Sequence, residues 1–257
     1  MVKQAYIAHY HIYKNAGSSI NKSLQNYFGK DALIEFDKNE HTKNIRTYDA
    51  QLIEKKIKED PKLRCFTAHN MVTDVHLKSK LTIVPIVFIR HPLLRIASVY
   101  RFEEQRQDDW KRSKYAQALD FEDWLHFIMH RENDIEGNNY QTSMLTLSSN
   151  NRRQILAHTP VNLYDIKAVI KRLETVPVVG VVEEFEESVK KLGEALEPIF
   201  PGLNFNASAN RTKKITSWKA EVNKLEGELS QITLQKFKAF NTQDYELFHR
   251  YVYKLRT

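Results

Sequence analysis

Short apolar runs alternate with amphipathic stretches along this chain. The runs are rich in β-branched and aromatic residues and have the length of strands, and they occur at 5–12, 64–69, 82–89 and 176–182. The run at 82–89 is almost continuously apolar, which is typical of a parallel strand covered on both faces. Within it, we expect Pro85 at the beginning of the strand or at a bulge, because proline cannot donate to the ladder.

Helical patterns separate these runs. Ile20, Leu24, Tyr27 and Phe28 recur at the spacing of one helix face, and Gly29 follows as a helix terminator. Further helices are expected at 47–60, from 91 onward, and at 120–131, 151–158, 163–174, 183–200, 217–238 and 242–255. Strands that alternate with helices predict an α/β fold, a P-loop-like three-layer sandwich whose mostly parallel central sheet is flanked by helices. The 257 residues are enough for a single domain spanning 1–257.

The composition of the chain narrows the possible partners. A formal charge of +7 suits an anionic partner, although ordinary solubility explains the same excess. The basic residues are spread along the chain, without the aromatic-interleaved stripe expected of a nucleic-acid-binding module. The single cysteine, Cys65, excludes a disulfide within the chain and a cysteine-rich metal site. The longest apolar run, 81–89, is too short to cross a bilayer, so we expect a soluble, cytoplasmic protein without a membrane span.

The segment "HIYKNAGSS", residues 11–19, joins the first expected strand to the first expected helix. A helix N-terminus offers unpaired N–H groups and the positive end of the helix dipole, which together favour an anion. Here those groups would come from Ala16, Gly17, Ser18 and Ser19. Lys14 adds a positive charge, but it precedes Gly17, whereas the lysine of the usual P-loop follows the last glycine. For this stretch alone, an ordinary strand–helix turn remains an alternative.

The segment "FIRHPLLRIASVYRF" places a second group of anion-binding side chains after a strand. Arg90 comes at the carboxyl end of that strand, where ligands of open α/β sheets bind. Arg95 and Ser98 are three residues apart on the following helix and share a face. Arg90 can fork onto a phosphate and Ser98 can donate a hydroxyl bond, unless Arg90 pairs with a carboxylate and Ser98 only fills the helix face. Two such sites in one sheet suggest a ligand with two separate phosphates.

Both segments resemble the nucleotide-binding motifs of carbohydrate, heparan-type sulfotransferases. "HIYKNAGSS" is similar to their 5′-phosphosulfate loop, HIPK-x-AG-[ST]-S, and "RHPLLRIASVY" to their 3′-phosphate motif, R-x-P-x-x-R-x-x-S-x-Y. The segments "TAHNMVTDVH", "GNNYQTSML", "VGVVEEFEESVKKL" and "NTQDYELFHRYV" resemble further parts of these enzymes, so the resemblance covers nearly the whole chain. Tyr13 stands where the family usually has proline, and Ala68 where the heparan-type enzymes usually have glycine.

The resemblance implies transfer of a sulfuryl group from 3′-phosphoadenosine 5′-phosphosulfate to a hydroxyl of a carbohydrate or glycoconjugate, without a metal. Lys14 would stabilise the charge that grows on the bridging oxygen. The 5′-phosphate would lie against Lys14, Asn15, Ala16, Gly17, Ser18 and Ser19. Arg90 and Ser98 would bind the 3′-phosphate, and Arg211, Lys213 or Lys214 would cover the nucleotide, unless this basic loop is only a solvated charge run.

Histidines are the candidates for the general base that removes the proton of the acceptor hydroxyl. His69 ends the second expected strand and matches the family's histidine, and an imidazole suits proton transfer at neutral pH. His11 is the rival candidate and His76 a third, while a merely hydrogen-bonded loop histidine is the alternative for His69. His126 and His130 are four residues apart on an expected helix, but "HFIMH" has no acid between them, and we interpret them as a helix face, not a zinc site.

The main alternative to a sulfotransferase is a P-loop-type nucleoside or small-molecule kinase. The chain lacks GxxxxGK[ST] and a clear Mg²⁺-binding acid after a strand, and both absences argue against this alternative. Basic residues within 106–114 would attract an acidic acceptor.

Overall fold

A parallel sheet forms the centre of the molecule. The computed structural model describes residues 4–36, 48–107, 111–130, 135–147, 163–205 and 217–257. Within these ranges five strands lie in the order β2-β3-β1-β4-β5, all parallel. They are β1 (Ala5–Tyr10), β2 (Leu33–Glu35), β3 (Cys65–Ala68), β4 (Thr82–Ile89) and β5 (Val179–Val181). Since all strands run the same way, the carboxyl ends of β1, β3 and β4 meet at one edge.

Helices flank this sheet, and the expected α/β class with a parallel sheet is confirmed. The described helices are α1 (Gly17–Phe28), α2 (Ala50–Glu59), α3 (Val75–Lys78), α4 (Pro92–Gln105), α5 (Lys111–Ala118), α6 (Phe121–His130), α7 (Tyr140–Thr146), α8 (Leu163–Leu173), α9 (Phe185–Leu196), α10 (Trp218–Gly227), α11 (Gln231–Phe240) and α12 (Thr242–Arg256). None of the described helices has the length and apolar composition needed to cross a membrane.

Alternation along β1 sends side chains to two apolar cores. Ile7 packs with Ile20 of α1 and Leu192 of α9 on one face of the sheet. Its neighbour Ala8 belongs to a second core on the opposite face, together with Leu247 of α12. Because successive residues of a strand point to opposite faces, β1 is covered on both sides. The same alternation decides which side chains of β1 and β3 reach the α1 face.

Several expected elements differ from those observed. Pro85 lies inside β4, opposite Ala8 of β1, and not at the beginning of the strand. β5 pairs with Val87–Ile89, so on that side of Pro85 no described strand requires an N–H donor. The single helix expected at 217–238 is two helices, because Gly227 ends α10 and the Ser230 side chain caps α11. The helix expected at 151–158 lies outside the described residues.

Candidate functional site

The turn between β1 and α1 has a left-handed backbone at two non-glycine residues. Lys14 has a φ of 64° and Ala16 a φ of 61°, on either side of Asn15. Such conformations cost energy and persist where surrounding contacts enforce them, often at functional sites. Here the Asn15 amide supplies one such contact, donating from Nδ2 to the carbonyl of Phe88 in β4 at 2.9 Å. The turn is therefore held against the neighbouring strand end.

Gly17 begins α1 beneath the ring of His11. A Cβ placed on Gly17 would lie 1.8 Å from Cδ2 of His11, which is far inside van der Waals contact. The sequence suggested that Gly17 admits a ligand to the backbone, whereas in the structure a side chain of the same turn already uses that space. No described residue accepts a hydrogen bond from the N–H of Gly17 or of Ser18, as expected for the first turn of a helix.

Lys14 lies beside this turn with its ammonium over an aromatic ring. Its Nζ is 4.3 Å from the centroid of Phe102 in α4. Partial burial lowers the pKa of Lys14, the charge of Arg90 lowers it further, and the charge of Glu103 acts in the opposite direction. A partly dehydrated ammonium interacts more strongly with a nearby anion than a hydrated one does. Lys14 can therefore interact strongly with a negative charge at the turn.

Arg90 connects the turn to the end of β4. Its Nη1 donates to the carbonyl of Lys14 at 3.0 Å, and its Nε lies 3.4 Å from Oε1 of Glu183. The other oxygen of Glu183 accepts from the N–H of His91 at 3.1 Å. The carboxylate pair that the sequence left as the alternative for Arg90 therefore exists. Among the described residues, none accepts a hydrogen bond from Nη2, so that edge of the guanidinium can still bind an anion.

Arg95 and Ser98 have different environments on α4. Arg95 is only 1% exposed, pairs with Glu136 at 2.8 Å, and lies over the ring of Tyr140 at 4.3 Å. It therefore belongs to the packing between α4 and α7. Ser98, one turn further along the helix, is half-buried.

His69 is held at the carboxyl end of β3 by the backbone of the neighbouring strand. Its Nδ1 lies 2.5 Å from the carbonyl oxygen of His11. A carbonyl oxygen only accepts hydrogen bonds, so Nδ1 carries the hydrogen and Nε2 is the nitrogen that can accept a proton. The rings of His11 and His69 are 4.4 Å apart, and Tyr13 meets His69 edge-on at 5.9 Å. The structure thus brings both candidate bases next to the turn.

His9 is a third histidine in this row, and sequence reasoning missed it. It is 1% exposed, stacks on His11 at 5.4 Å, and has Nδ1 within 2.7 Å of Oδ1 of Asn21. Burial lowers the pKa of His9 to about 4, against the hydrogen bond with Asn21, and repulsion from His69 adds to the fall. The signal was present in the sequence, because His9 and His11 are two apart in the run 5–12, which is expected to be a strand, and such a spacing predicts a shared face.

The remaining histidine candidates lie away from the turn. Both ring nitrogens of His76 are engaged, Nδ1 with the hydroxyl of Tyr10 at 3.5 Å and Nε2 with Thr175 at 2.7 Å. His126 contacts Thr233 on α11 at 2.7 Å, and His130 donates to the carbonyl of His126 at 2.9 Å. In the part of the chain that the structure describes, no group of three or more histidine, cysteine or acidic residues is arranged to hold a metal ion.

Tyr13, the residue at the usual proline position, is held by α4. Its hydroxyl donates to Oε1 of Glu103 at 3.3 Å, and its ring meets Phe102 edge-on at 5.9 Å. Glu103 is only 2% exposed and also accepts from the Ser113 hydroxyl at 2.6 Å. Burial raises the pKa of Tyr13, and the charge of Glu103 raises it further, so the phenol stays neutral and keeps donating. Side-chain contacts thus do here what a proline ring does by fixing the backbone.

Three predicted nucleotide ligands, Arg211, Lys213 and Lys214, lie outside the described residues. The other predicted residues lie on the turn, at the end of β4, on α4 or at the end of β3. Sequence reasoning did not find Glu183 and Glu103, the two buried carboxylates that hold Arg90 and Tyr13. Carboxylates in amphipathic helical stretches have no local pattern that distinguishes a buried partner from a solvated one.

The chain is similar to known proteins over most of its length. The sequence model described as "Sulfotransferase family" matches residues 1–253, which include the turn, the β4 end and nearly all of α12. A protein of Archaeoglobus fulgidus, described as "Uncharacterized protein", is 28% identical over 211 residues that cover 79% of this chain and 77% of that protein.

Proposed function

This chain belongs to the sulfotransferase family, and from that membership we propose that it moves a sulfuryl group from 3′-phosphoadenosine 5′-phosphosulfate to a hydroxyl of a carbohydrate or glycoconjugate. The observation that carries the proposal is the link between the two candidate phosphate segments, in which Arg90 donates to the carbonyl of Lys14 at 3.0 Å. One ligand of nucleotide size with phosphates at both ends can meet both segments.

The residues present fit such a donor. The N–H groups of Gly17 and Ser18, which no described residue engages, would bind the 5′-phosphate at the positive end of α1, with Asn15, Ala16 and Ser19 completing the turn. The Nη2 edge of Arg90, which no described residue engages, and the hydroxyl of Ser98 would bind the 3′-phosphate. Arg211, Lys213 and Lys214 would add charge on that side.

Lys14 and His69 would act on the reacting atoms. When bound, the donor presents a sulfuryl group on a phosphate leaving group, and the acceptor oxygen bonds to sulfur as the bond from sulfur to the bridging oxygen breaks. Lys14 would neutralise the negative charge that develops on that bridging oxygen. Nε2 of His69 would take the hydroxyl proton, while Nδ1–H stays on the carbonyl of His11. His11 would position His69 through that carbonyl and is the alternative base. A sulfuryl group carries less charge than a phosphoryl group, so we propose no metal.

The surroundings of Phe102 support a carbohydrate acceptor. This ring is 40% exposed beside Lys14, and the guanidinium of Arg106 lies 5.5 Å from its centroid. A partly exposed aromatic ring beside two cations suits a sugar that carries an acidic group. Arg112, a second basic residue of the expected acidic-acceptor surface, instead pairs with Glu136 at 3.1 Å.

Calorimetric titration distinguishes the proposal from the kinase alternative. We expect adenosine 3′,5′-bisphosphate to bind tightly without a metal, and ATP with Mg²⁺ to bind weakly or not at all. The control repeats both titrations with excess EDTA, which should leave the bisphosphate affinity unchanged. Binding of ATP with Mg²⁺ alone would refute the donor assignment.

A further inference from the structure

A single buried side chain, Gln141, connects both candidate phosphate segments. Gln141 lies on α7 and is 1% exposed. Its Oε1 accepts from Nδ2 of Asn15 in the turn at 2.7 Å and from the N–H of Arg90 at 2.8 Å. Its Nε2 donates to the carbonyl of Arg90 at 2.8 Å and faces Asp244 at 3.5 Å. The amide of Gln141 thus contacts the backbone N–H and carbonyl of Arg90, which follows β4, and also the side chain of Asn15 in the turn.

The orientation of the two amides is determined by their partners. Nε2 of Gln141 faces a carbonyl and a carboxylate, which only accept, while Oε1 faces two N–H donors. Asn15 likewise directs Nδ2 at two acceptors, the carbonyl of Phe88 and the amide oxygen of Gln141. Rotating either amide by half a turn would place acceptors against acceptors. The connection is therefore directional and has one geometry.

Asp244 anchors Gln141 from the opposite side. It is fully buried at the start of α12 and accepts from the N–H of Gln141 at 3.0 Å. Its second oxygen accepts from the N–H and the hydroxyl of Thr142, each at 2.7 Å. The position of Gln141 is thus set by α7 and α12, which carry none of the proposed nucleotide ligands. A fixed external support of this kind pre-organises the residues that it touches.

We infer that Gln141 is a positioning residue of the donor site, which holds the 5′-phosphate turn and the 3′-phosphate strand end at the spacing of one nucleotide. The inference rests on the proposed donor. A ligand that binds two linked subsites gains affinity from the second contact only when both can be met at once. Without Gln141, each segment would still bind its own phosphate, but the spacing between the segments would be set less firmly, by contacts such as those of Asn15 with Phe88 and of Arg90 with Lys14.

The affinities for three nucleotides can distinguish this positioning role from a general structural role. The variant Gln141→Met keeps the side-chain length and removes the amide. Calorimetric Kd values are measured for adenosine 3′,5′-bisphosphate, adenosine 5′-monophosphate and adenosine 3′-monophosphate, on the wild type and the variant. We expect the bisphosphate affinity to fall at least about 10-fold, and each monophosphate affinity to change by less than about 2-fold.

Thr73→Val is the matched control. Thr73 is buried, and its hydroxyl shares its hydrogen between the carbonyls of Leu145 and Leu147, at 3.0 and 2.8 Å, at the far end of α7, while its oxygen accepts from Arg172. Its loss should destabilise the same helix without touching Asn15 or Arg90. We expect the ratio of bisphosphate to monophosphate affinity to stay at the wild-type value.

Two results would overturn the inference, and they are distinguishable from failure of the proposed function. If Gln141→Met keeps the wild-type ratio, whether its affinities all fall together or none falls, Gln141 does not set the spacing. If Thr73→Val lowers the ratio as much as Gln141→Met does, the effect is one of stability. Should Gln141→Met fail to fold, Asp244→Asn, which keeps the shape of the anchor but weakens its contacts with Gln141, must give the same selective loss. A wild type that binds none of the three nucleotides would refute the donor assignment itself, and the inference with it.

Discussion

At the scale of single residues, the site depends on side chains whose partners restrict what each can do. Lys14 lies over Phe102 with a lowered pKa, and His69 is fixed in one tautomer by the carbonyl of His11. The absence of a side chain on Gly17 leaves room for the ring of His11. Each of these arrangements leads to a separate test.

Replacing Lys14 by methionine should remove the charge that faces the leaving group. We expect kcat to fall on the order of 10²–10³-fold with little change in stability, because the cation acts mainly in the transition state. Lys22→Met is the control, since Lys22 is exposed on α1, away from the turn. Steady-state kinetics that show equal turnover for the wild type and Lys14→Met would exclude the role given to Lys14.

Replacing His69 by glutamine should remove the proton acceptor while leaving the nucleotide subsites intact. General-base loss typically costs about 10²–10⁴-fold, so we expect kcat to fall by that factor while the bisphosphate Kd stays constant. His76→Gln is the matched control, because both nitrogens of His76 are engaged elsewhere. If His69→Gln stays active and the same change at His11 abolishes turnover, His11 is the base.

Replacing Gly17 by alanine should destabilise the fold through a clash with the ring of His11. We expect a loss of about 1–3 kcal/mol in the free energy of unfolding, as in other over-packed sites. The double variant with His11→Ala should recover most of the loss in a urea titration. Gly193→Ala is the control, because a Cβ there meets only the carbonyl of Leu203 at an ordinary 3.8 Å. Equal losses in the single and double variants would mean that the ring is not the cause.

At the scale of elements, α4 supports the turn that precedes α1. Phe102 and Glu103 of α4 contact Lys14 and Tyr13, so the departure from proline at position 13 is compensated by tertiary contacts. The segment around Tyr140 resembles the family in sequence, but the resemblance gave it no structural role. In the structure it is a short buried helix, α7, whose Gln141 contacts both candidate phosphate segments, at Asn15 and at Arg90.

Tyr13→Phe should weaken the connection between the turn and α4. The change removes one donor from a buried carboxylate that Ser113 still engages, and we expect a loss of about 1–2 kcal/mol in the free energy of unfolding. Ser113→Ala removes a second donor and should cost a similar amount. Because both act on Glu103, the double variant should depart from additivity in chemical denaturation. Strict additivity would show that the carboxylate does not couple them.

At the scale of the whole molecule, two buried neutral histidines couple stability to pH. Burial lowers the pKa of His9 to about 4 and that of His91 to about 3, from an ordinary value of 6.5. For His91, repulsion from His249, Lys238 and Arg90 adds to the effect of burial. Between the folded and unfolded pKa values, the unfolded chain binds protons that the folded chain excludes. Stability therefore rises with pH in that window and is lost as the pH falls through it.

We expect the free energy of unfolding to decrease as the pH falls from 6.5 to 4. Over its whole window, His9 should contribute on the order of 3 kcal/mol and His91 on the order of 5 kcal/mol. Urea titrations at several pH values measure this slope. His9→Asn should remove the contribution of one protonation to the pH dependence of the free energy of unfolding. This holds even if the substitution also changes the stability at neutral pH. An unchanged slope in that variant would contradict the assignment to His9.

Much of the fold and part of the site could be predicted from local patterns. The runs at 64–69 and 82–89 became β3 and β4, and the turn after β1 leads into α1 as expected. The expectation of a single helix at 217–238 was wrong, because a helical period continues across a break as short as the one after Gly227. The expected position of Pro85 was also wrong, because the pattern of one strand does not show where the neighbouring strand ends. Membership of the sulfotransferase family agrees with the motif resemblance.

The sequence by itself determined four of the five described strands, their alternation with helices, the placing of two candidate phosphate segments at strand ends, and the family; it did not indicate β2. These properties follow from periodicities of two and 3.6 residues and from motifs a dozen residues long, all of which are local. Only the tertiary structure decided that Arg90 pairs with Glu183, that His69 bonds the carbonyl of His11, and that Gln141 joins Asn15 to Arg90. The last two contacts join residues 58 and 126 positions apart. A local pattern states which way a side chain points, but it carries no information on which distant segment packs against it.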